Sequence, residues 1–256
     1  MLSNLKHRLR LLRSRGKFTL GINLLIKLHH AIKSIRERFH KQAALNALVE
    51  RNIEDTPEAW VQFIWNAADG YFRPIQQRQE MLSLIERINT LKPQSILEIG
   101  TAKGGTLFLF CQAAAPSATV VSIDLPGGIN GGGYPTWKSA LYQEFKRESQ
   151  SLHFLRCDSH HESSRDQASS LSPNGKFDVI MIDGDHSYEG VKKDFALYRS
   201  LLSENGIIVF HDVIKNRFDP SIQVDRFWNE LKRSYDTTEI VFDRNQGNMG
   251  IGIVSP

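Results

Sequence analysis

The chain has 256 residues, 41% of them apolar and 23% charged, which excludes a collagen-like, low-complexity or wholly disordered protein and fits one large domain with an appendage. Two cysteines, Cys111 and Cys157, are too few for a disulfide framework or a four-cysteine zinc site, so a reducing, cytoplasmic setting is expected. The net charge of +4 hides an asymmetry: residues 1–41 carry 11 of the 32 Lys/Arg and one of the 28 acids, so a basic arm precedes a mildly acidic body.

In that arm Leu20, Leu24, Leu25, Leu28, Ile32 and Ile35 recur at helical spacing with Lys27, Lys33, Arg36 and Arg38 largely between them. The apolar stretch Phe18–Ile26 stops at Lys27, far short of the roughly 20 residues a membrane span needs, and no small-x-small cleavage site follows it. The arm has four readings: a helix packed on its own domain, an anchor to an anionic membrane surface, a dock for a partner or second protomer, and a nucleic-acid contact. Only Phe18 and Phe39 interleave with its charges, which makes nucleic acid the weakest of these. The expected boundary sets a basic helical extension over 1–60 against a main domain over 61–256.

Helices are predicted over 55–68, where Asp55-Thr-Pro-Glu58 supplies a capped start, and over 73–89, ended by Lys92-Pro93. After Pro93 the rhythm changes. Short runs rich in Ile, Val or Leu fall at 95–100, 119–124, 152–158, 177–183 and 206–212, with helix-length segments such as 188–202 between them. This is the signature of βαβ units and a parallel α/β sheet covered on both faces. The final pair, 239–242 and 249–254, is joined by about six residues, too few for a parallel crossover, so it is predicted to be antiparallel.

Ligands of open α/β sheets bind at the carboxyl ends of the strands. Gly100, Asp124, Asp158, Asp183 and Asp212 all fall there. Leu97-Glu-Ile-Gly-Thr-Ala-Lys-Gly-Gly-Thr106 reads as strand, glycine turn and helix start, a place where free N–H groups meet a ligand or where a tight turn is merely structural. It is neither a G-x-G-x-x-G nor a P-loop. Asp124, at the next strand end, has the acceptor geometry for a ribose diol or the role of a turn acid.

These residues resemble the class I S-adenosylmethionine-dependent methyltransferases: 95–124 looks like that family's first two motifs, with Glu98 before the turn. Ile182-Asp-Gly-Asp-His-Ser-Tyr188, Asp194, Val209-Phe-His-Asp-Val213, Gln76 and Glu80, and Met249-Gly-Ile-Gly252 are similar to the branch holding macrolide-sugar O-methyltransferases and cephalosporin hydroxylase-like proteins. The resemblance covers roughly 70–256. It implies a Rossmann-like, doubly wound sheet of seven strands with the last antiparallel. It implies S-adenosylmethionine held by Glu98, Gly100, Thr101, Gly104 and Gly105 at the methionine end, Asp124 at the ribose, Asp158 near the adenine and Asp183 at the rim.

If the fourth and fifth strands adjoin, about 4.8 Å apart, Asp183 and Asp212 meet, and two such carboxylates call for a divalent cation or a shared proton. In the related sugar methyltransferases this cluster binds magnesium and the histidine of D-x-x-H is the base. Carried over, Asp183, His211 and Asp212 are the ligand set, and His186 with Asp183 is the catalytic pair. His211 stands where those relatives carry an acid, and imidazole suits manganese, iron or zinc better than magnesium. Successive strand residues face opposite ways, so His211 and Asp212 converge only if the strand has already turned. The plain alternative makes these hydrogen-bonded rim residues, with His211 capping a loop. Asp185 reads as a turn residue or as the group that orients His186. Five glycines in 127–133 mark a candidate lid, with Tyr134 and Trp137 placed to stack on a substrate ring.

The expected activity is methyl transfer to a hydroxyl of a small molecule or glycan. The Asn/Asp-Pro-Pro-Tyr/Phe sequence of amino-methylating enzymes is missing where Asp183-Gly-Asp-His stands, which argues against an N- or nucleic-acid methyltransferase. A cofactor-binding scaffold without chemistry is the rival from another class. Relatives commonly associate, so a homo-oligomer is among the expected partners.

Overall fold

The computed structural model describes residues 40–126, 133–147 and 149–255. Most of the basic arm, and all of the glycine-rich segment except Gly133, lie outside the described residues. Residues 40–49 are helical, and the described residues from Leu48 onward form one compact unit. Among the described residues no helix is long and apolar enough to cross a membrane.

The elements of this unit run α1 (Pro57–Gly70), α2 (Arg78–Leu91), β1 (Ser95–Ile99), α3 (Gly105–Ala113), β2 (Thr119–Ile123), α4 (Trp137–Tyr142), β3 (Ser151–Leu155), α5 (Glu162–Leu171), β4 (Phe177–Ile182), α6 (Tyr188–Tyr198), β5 (Leu202–His211), α7 (Val224–Leu231), β6 (Asp236–Ile240) and β7 (Ile251–Ser255). α1 spans the expected boundary at residue 60 within this single unit. Its start is capped as predicted: Thr56 accepts the Ala59 N–H and Pro57 occupies the first turn, where a missing N–H costs nothing. α2 begins at Arg78 rather than 73, because residues 71–77 run as a turn and bends, with Phe72 O and Pro74 packed against Gly105 at the start of α3.

The sheet has seven strands in the order β3-β2-β1-β4-β5-β7-β6. β1 pairs in parallel with β2 and β4, and β4 in parallel with β5; β7 alone runs against both neighbours, β5 and β6. The short 241–250 connection imposes this, as its length requires. β1 and β2 are buried along their whole length. Leu97 and Ile99, Val121 and Ile123, Ile180 and Ile182, and Ile208 and Phe210 alternate onto one face. There they meet Phe195 and Tyr198 of α6 and Phe227 and Trp228 of α7. The opposite alternation carries Ile96, Val120, Val179 and Val209 into the second layer, all fully buried. Such a two-sided core leaves the carboxyl ends of the strands as the place where polar side chains converge.

Candidate active site

β1 ends at Gly100, whose φ of +96° turns the chain over the tip of β4. Its N–H donates to Ile123 O at 2.9 Å, and the Asp183 N–H donates to Ile99 O at 2.9 Å. A Cβ on Gly100 would stand 2.1 Å from Asp183 O, so close backbone crossing makes glycine obligatory there. Gly104 precedes α3 and Gly105 opens it. The Gly105 Cα faces Phe72 O and Pro74, at 2.3 and 2.6 Å from where a Cβ would be. The glycine pattern thus serves the contact of protein with protein at these positions.

Asp124 sits just past β2 and closes the turn. The N–H groups of Thr101 and Ala102 donate to its Oδ2 at 3.1 and 2.8 Å. Burial raises its pKa, against the opposing pull of those N–H groups. Thr101 is buried and its hydroxyl bonds the Ser122 hydroxyl. Beneath the turn lies Glu98, wholly buried, with both carboxylate oxygens lacking a hydrogen-bond partner; burial pushes its carboxyl well above the ordinary carboxylate range. Asp158, past β3, uses its carboxylate locally: it accepts the His160 N–H at 2.9 Å, and His161 Nε2 lies 3.7 Å from its other oxygen.

The ends of β4 and β5 carry the densest constellation. These strands pair with Ile182 opposite Phe210, which sets Asp183 beside His211. β5 ends at His211, and Asp212 takes a left-handed φ of +61°, uncommon for a non-glycine residue. That turn reverses the strand alternation and brings both side chains to one point. His211 Nδ1 stands 3.3 Å from Asp183 Oδ1 and 3.5 Å from Asp212 Oδ2. His186 Nδ1 lies 2.8 Å from Asp212 Oδ2, and its Nε2 3.9 Å from Asp183 Oδ1. Donor atoms of Asp183, His186 and Asp212 all fall within 4.8 Å of one another. The structure therefore gathers all four residues; the trio with metal-ligand spacing is Asp183, His186 and Asp212, and the expected His211 stands against both carboxylates beside it. Burial works against charge on both rings. The carboxylates outweigh it, so His186 is held above the ordinary histidine value and His211 well above it. Burial likewise works against the Asp212 carboxylate, but the two imidazoles hold it far below the usual range.

The group orienting His186 is Asp212. Asp185 instead accepts the Ser187 N–H at 2.9 Å and serves its own turn. Tyr134, expected to face a substrate ring, is 3% exposed, with its ring 5.0 Å from that of Tyr142 and Arg156 over its face. It is a core residue. Trp137 opens α4.

Residues 97–213 match a family model described as a methyltransferase domain. A Bacillus cereus O-methyltransferase solved with S-adenosylhomocysteine shares the fold, with a TM-score of 0.54 at 18% identity over 80% of this chain and 92% of that one. Residues 97–213 thus match the methyltransferase-domain model, and the chain has the fold of that O-methyltransferase.

Two curated relatives match more narrowly. An uncharacterised Acanthamoeba polyphaga mimivirus protein is 32% identical over 49% of this chain and 54% of its own length. An uncharacterised protein of Sinorhizobium fredii is 26% identical over 56% of this chain and 16% of its own length. The chain thus spans about half of one relative and about a sixth of the other.

Outside the matched stretch, the site recruits a side chain that spacing alone did not place. The Gln76 amide donates to Asp183 Oδ2 at 3.1 Å, and its carbonyl oxygen accepts the Thr106 hydroxyl at 3.4 Å. This chain fixes one oxygen of Asp183 and leaves the other, Oδ1, buried without a hydrogen-bond partner. Gln76 lies 107 residues before Asp183, so no local pattern could pair them.

Proposed function

We propose that this domain transfers the methyl group of S-adenosylmethionine to a hydroxyl of a small molecule or glycan, with His186 as general base. The observation that carries the reading is the 2.8 Å contact of His186 Nδ1 with Asp212 Oδ2 at the carboxyl rim of the sheet. A carboxylate there accepts the Nδ1 proton and leaves Nε2 as the acceptor nitrogen. The carboxylates that raise the ring's basicity make Nε2 a stronger proton acceptor.

S-adenosylmethionine supplies an electrophilic methyl on a sulfonium. The protein must bind it, exclude water and deprotonate the acceptor. Glu98, with two unpartnered oxygens beneath the Gly100–Gly105 turn, is suited to the cationic methionine end, directly or through water. The N-terminus of α3 offers N–H groups to its carboxylate. We assign Oδ1 of Asp124 to the ribose and the Asp158 turn to the adenine side. A hydroxyl set against His186 Nε2 loses its proton to the ring as the oxygen attacks in line.

Residues 1–60 are proposed as an extension to the 61–256 domain, reaching an anionic membrane surface from the cytoplasm.

The test is methyl transfer from radiolabelled donor to a panel of sugars and phenols. His186→Gln is expected to lower turnover by about 10²–10⁴-fold while calorimetric S-adenosylhomocysteine binding persists. Unchanged turnover in that variant removes His186 as the base; an absence of calorimetric binding in the wild-type protein removes the methyl-transfer reading itself.

A further inference from the structure

We infer that the Asp183–Asp212 rim is a cation site selective for a first-row transition metal, such as manganese, iron(II), cobalt or zinc, over magnesium, and that His211 sets that preference. The inference rests on reading this rim as the methyl-transfer site.

The donor geometry fits an ion. With metal–ligand bonds of about 2.0–2.2 Å, neighbouring donors on one ion stand roughly 2.8–3.6 Å apart, from octahedral to tetrahedral. His211 Nδ1 is 3.3 Å from Asp183 Oδ1 and 3.5 Å from Asp212 Oδ2, which makes it an apex shared by two such edges. His211 is 4% exposed, so its nitrogen is held in place rather than presented to solvent. Asp183 Oδ1 is buried and without a hydrogen-bond partner, while Gln76 ties down Oδ2 and so aims Oδ1 inward. Asp212 reaches the same point through its left-handed backbone, which turns its side chain to the side of His211.

The donor set decides the ion. Magnesium takes oxygen ligands in a regular octahedron and keeps several waters. Here imidazole nitrogen faces both carboxylates, and a second imidazole, that of His186, lies against Asp212. Nitrogen donors of this kind favour first-row transition ions over magnesium, cobalt and zinc more than manganese.

The experiment uses the full chain, stripped with a chelator and dialysed against Co²⁺, Mn²⁺ and Mg²⁺ in turn, with bound metal measured by mass spectrometry and cobalt by its visible absorption. A single Co²⁺ per chain with a visible ligand-field band, and Mn²⁺ retained against excess Mg²⁺, is the expected result. His211→Glu should shift the preference toward Mg²⁺. Gln76→Leu should keep the order of preference but weaken binding by about 10–100-fold, the usual cost of removing a group that orients a ligand. Magnesium bound as tightly as manganese by the wild-type protein, or no ion retained at all, overturns the inference. So does a His211→Glu variant that keeps the wild-type order while still binding S-adenosylhomocysteine. That calorimetric binding is a separate readout: its failure in wild-type protein would remove the methyl-transfer reading and leave the metal result standing.

Discussion

Asp194 on α6 is fully buried, and His160 Nε2 stands 3.6 Å from its Oδ1. This second acid–imidazole pair lies behind the turn that carries Asp183 and His186, since Asp194 Oδ2 is 3.6 Å from where a Cβ on Gly184 would sit. The Asp194 carboxylate beside it, against a smaller burial penalty, raises the pKa of His160; burial raises that of Asp194. Both shifts mean that the folded chain binds these protons more tightly than the unfolded one. The stabilisation His160 provides is fully present below the unfolded histidine value of about 6.5 and is lost as pH rises through the higher folded value. His160→Gln should therefore lose stability most on the acid side and show a shallower decline through and above neutrality, read by urea unfolding at a series of pH values. Parallel curves for variant and parent would show that the pair does not bind the proton in question.

At the scale of elements, the turn from β1 into α3 is set by what lies against it. Gly105 has an ordinary φ, so a methyl group added there acts by crowding alone: it would press on Phe72 O and Pro74. We expect Gly105→Ala to cost about 1–3 kcal/mol, the range for overpacking a filled site, measured as a shift in the urea midpoint. Affinity for S-adenosylhomocysteine should fall with it, because α3 must retreat from the segment that also carries Gln76. A fully stable variant would mean that the 72–74 segment yields at no cost. The spacing Gly100, Gly104, Gly105 marked the turn correctly; that protein backbone and rings fill the space at each glycine was beyond its reach, because the contacting residues belong to other elements.

The molecule as a whole is tied across its length at Glu80. Its Oε1 accepts the Phe242 N–H at 3.0 Å and the Gln246 amide at 2.8 Å, and its Oε2 accepts the Gly250 N–H at 3.1 Å. The loop so held pairs in turn with the segment after Asp212, through Ile214 N–H to Met249 O at 2.9 Å and Arg217 N–H to Gly247 O at 2.8 Å. α2 thus holds the β6–β7 loop, which holds the chain leaving the rim that carries Asp183 and Asp212. Glu80→Ala strands three donors and is expected to cost at least about 1–3 kcal/mol. It should also expose the 241–250 loop to limited proteolysis and lower turnover. If cleavage, stability and turnover all match the parent, the clamp has no mechanical role.

The sequence by itself determined the order of strands and helices, the antiparallel last strand and the row of polar residues at the strand ends. Each of these follows from periodicity or connection length, which are local. It also marked His186, His211, Asp183 and Asp212 as a group, through two strand ends predicted to adjoin. Tertiary structure alone decided the pairing within that group: Asp212 rather than Asp185 on His186, Gln76 on Asp183, Tyr134 inside the core. Those partners stand between 26 and 107 residues apart along the chain wherever they form the site's hydrogen bonds, and a backbone turn at Asp212 overrides the strand alternation that sequence reasoning must assume. Side-chain pairing at a site is fixed by packing between distant segments, and no local pattern encodes it.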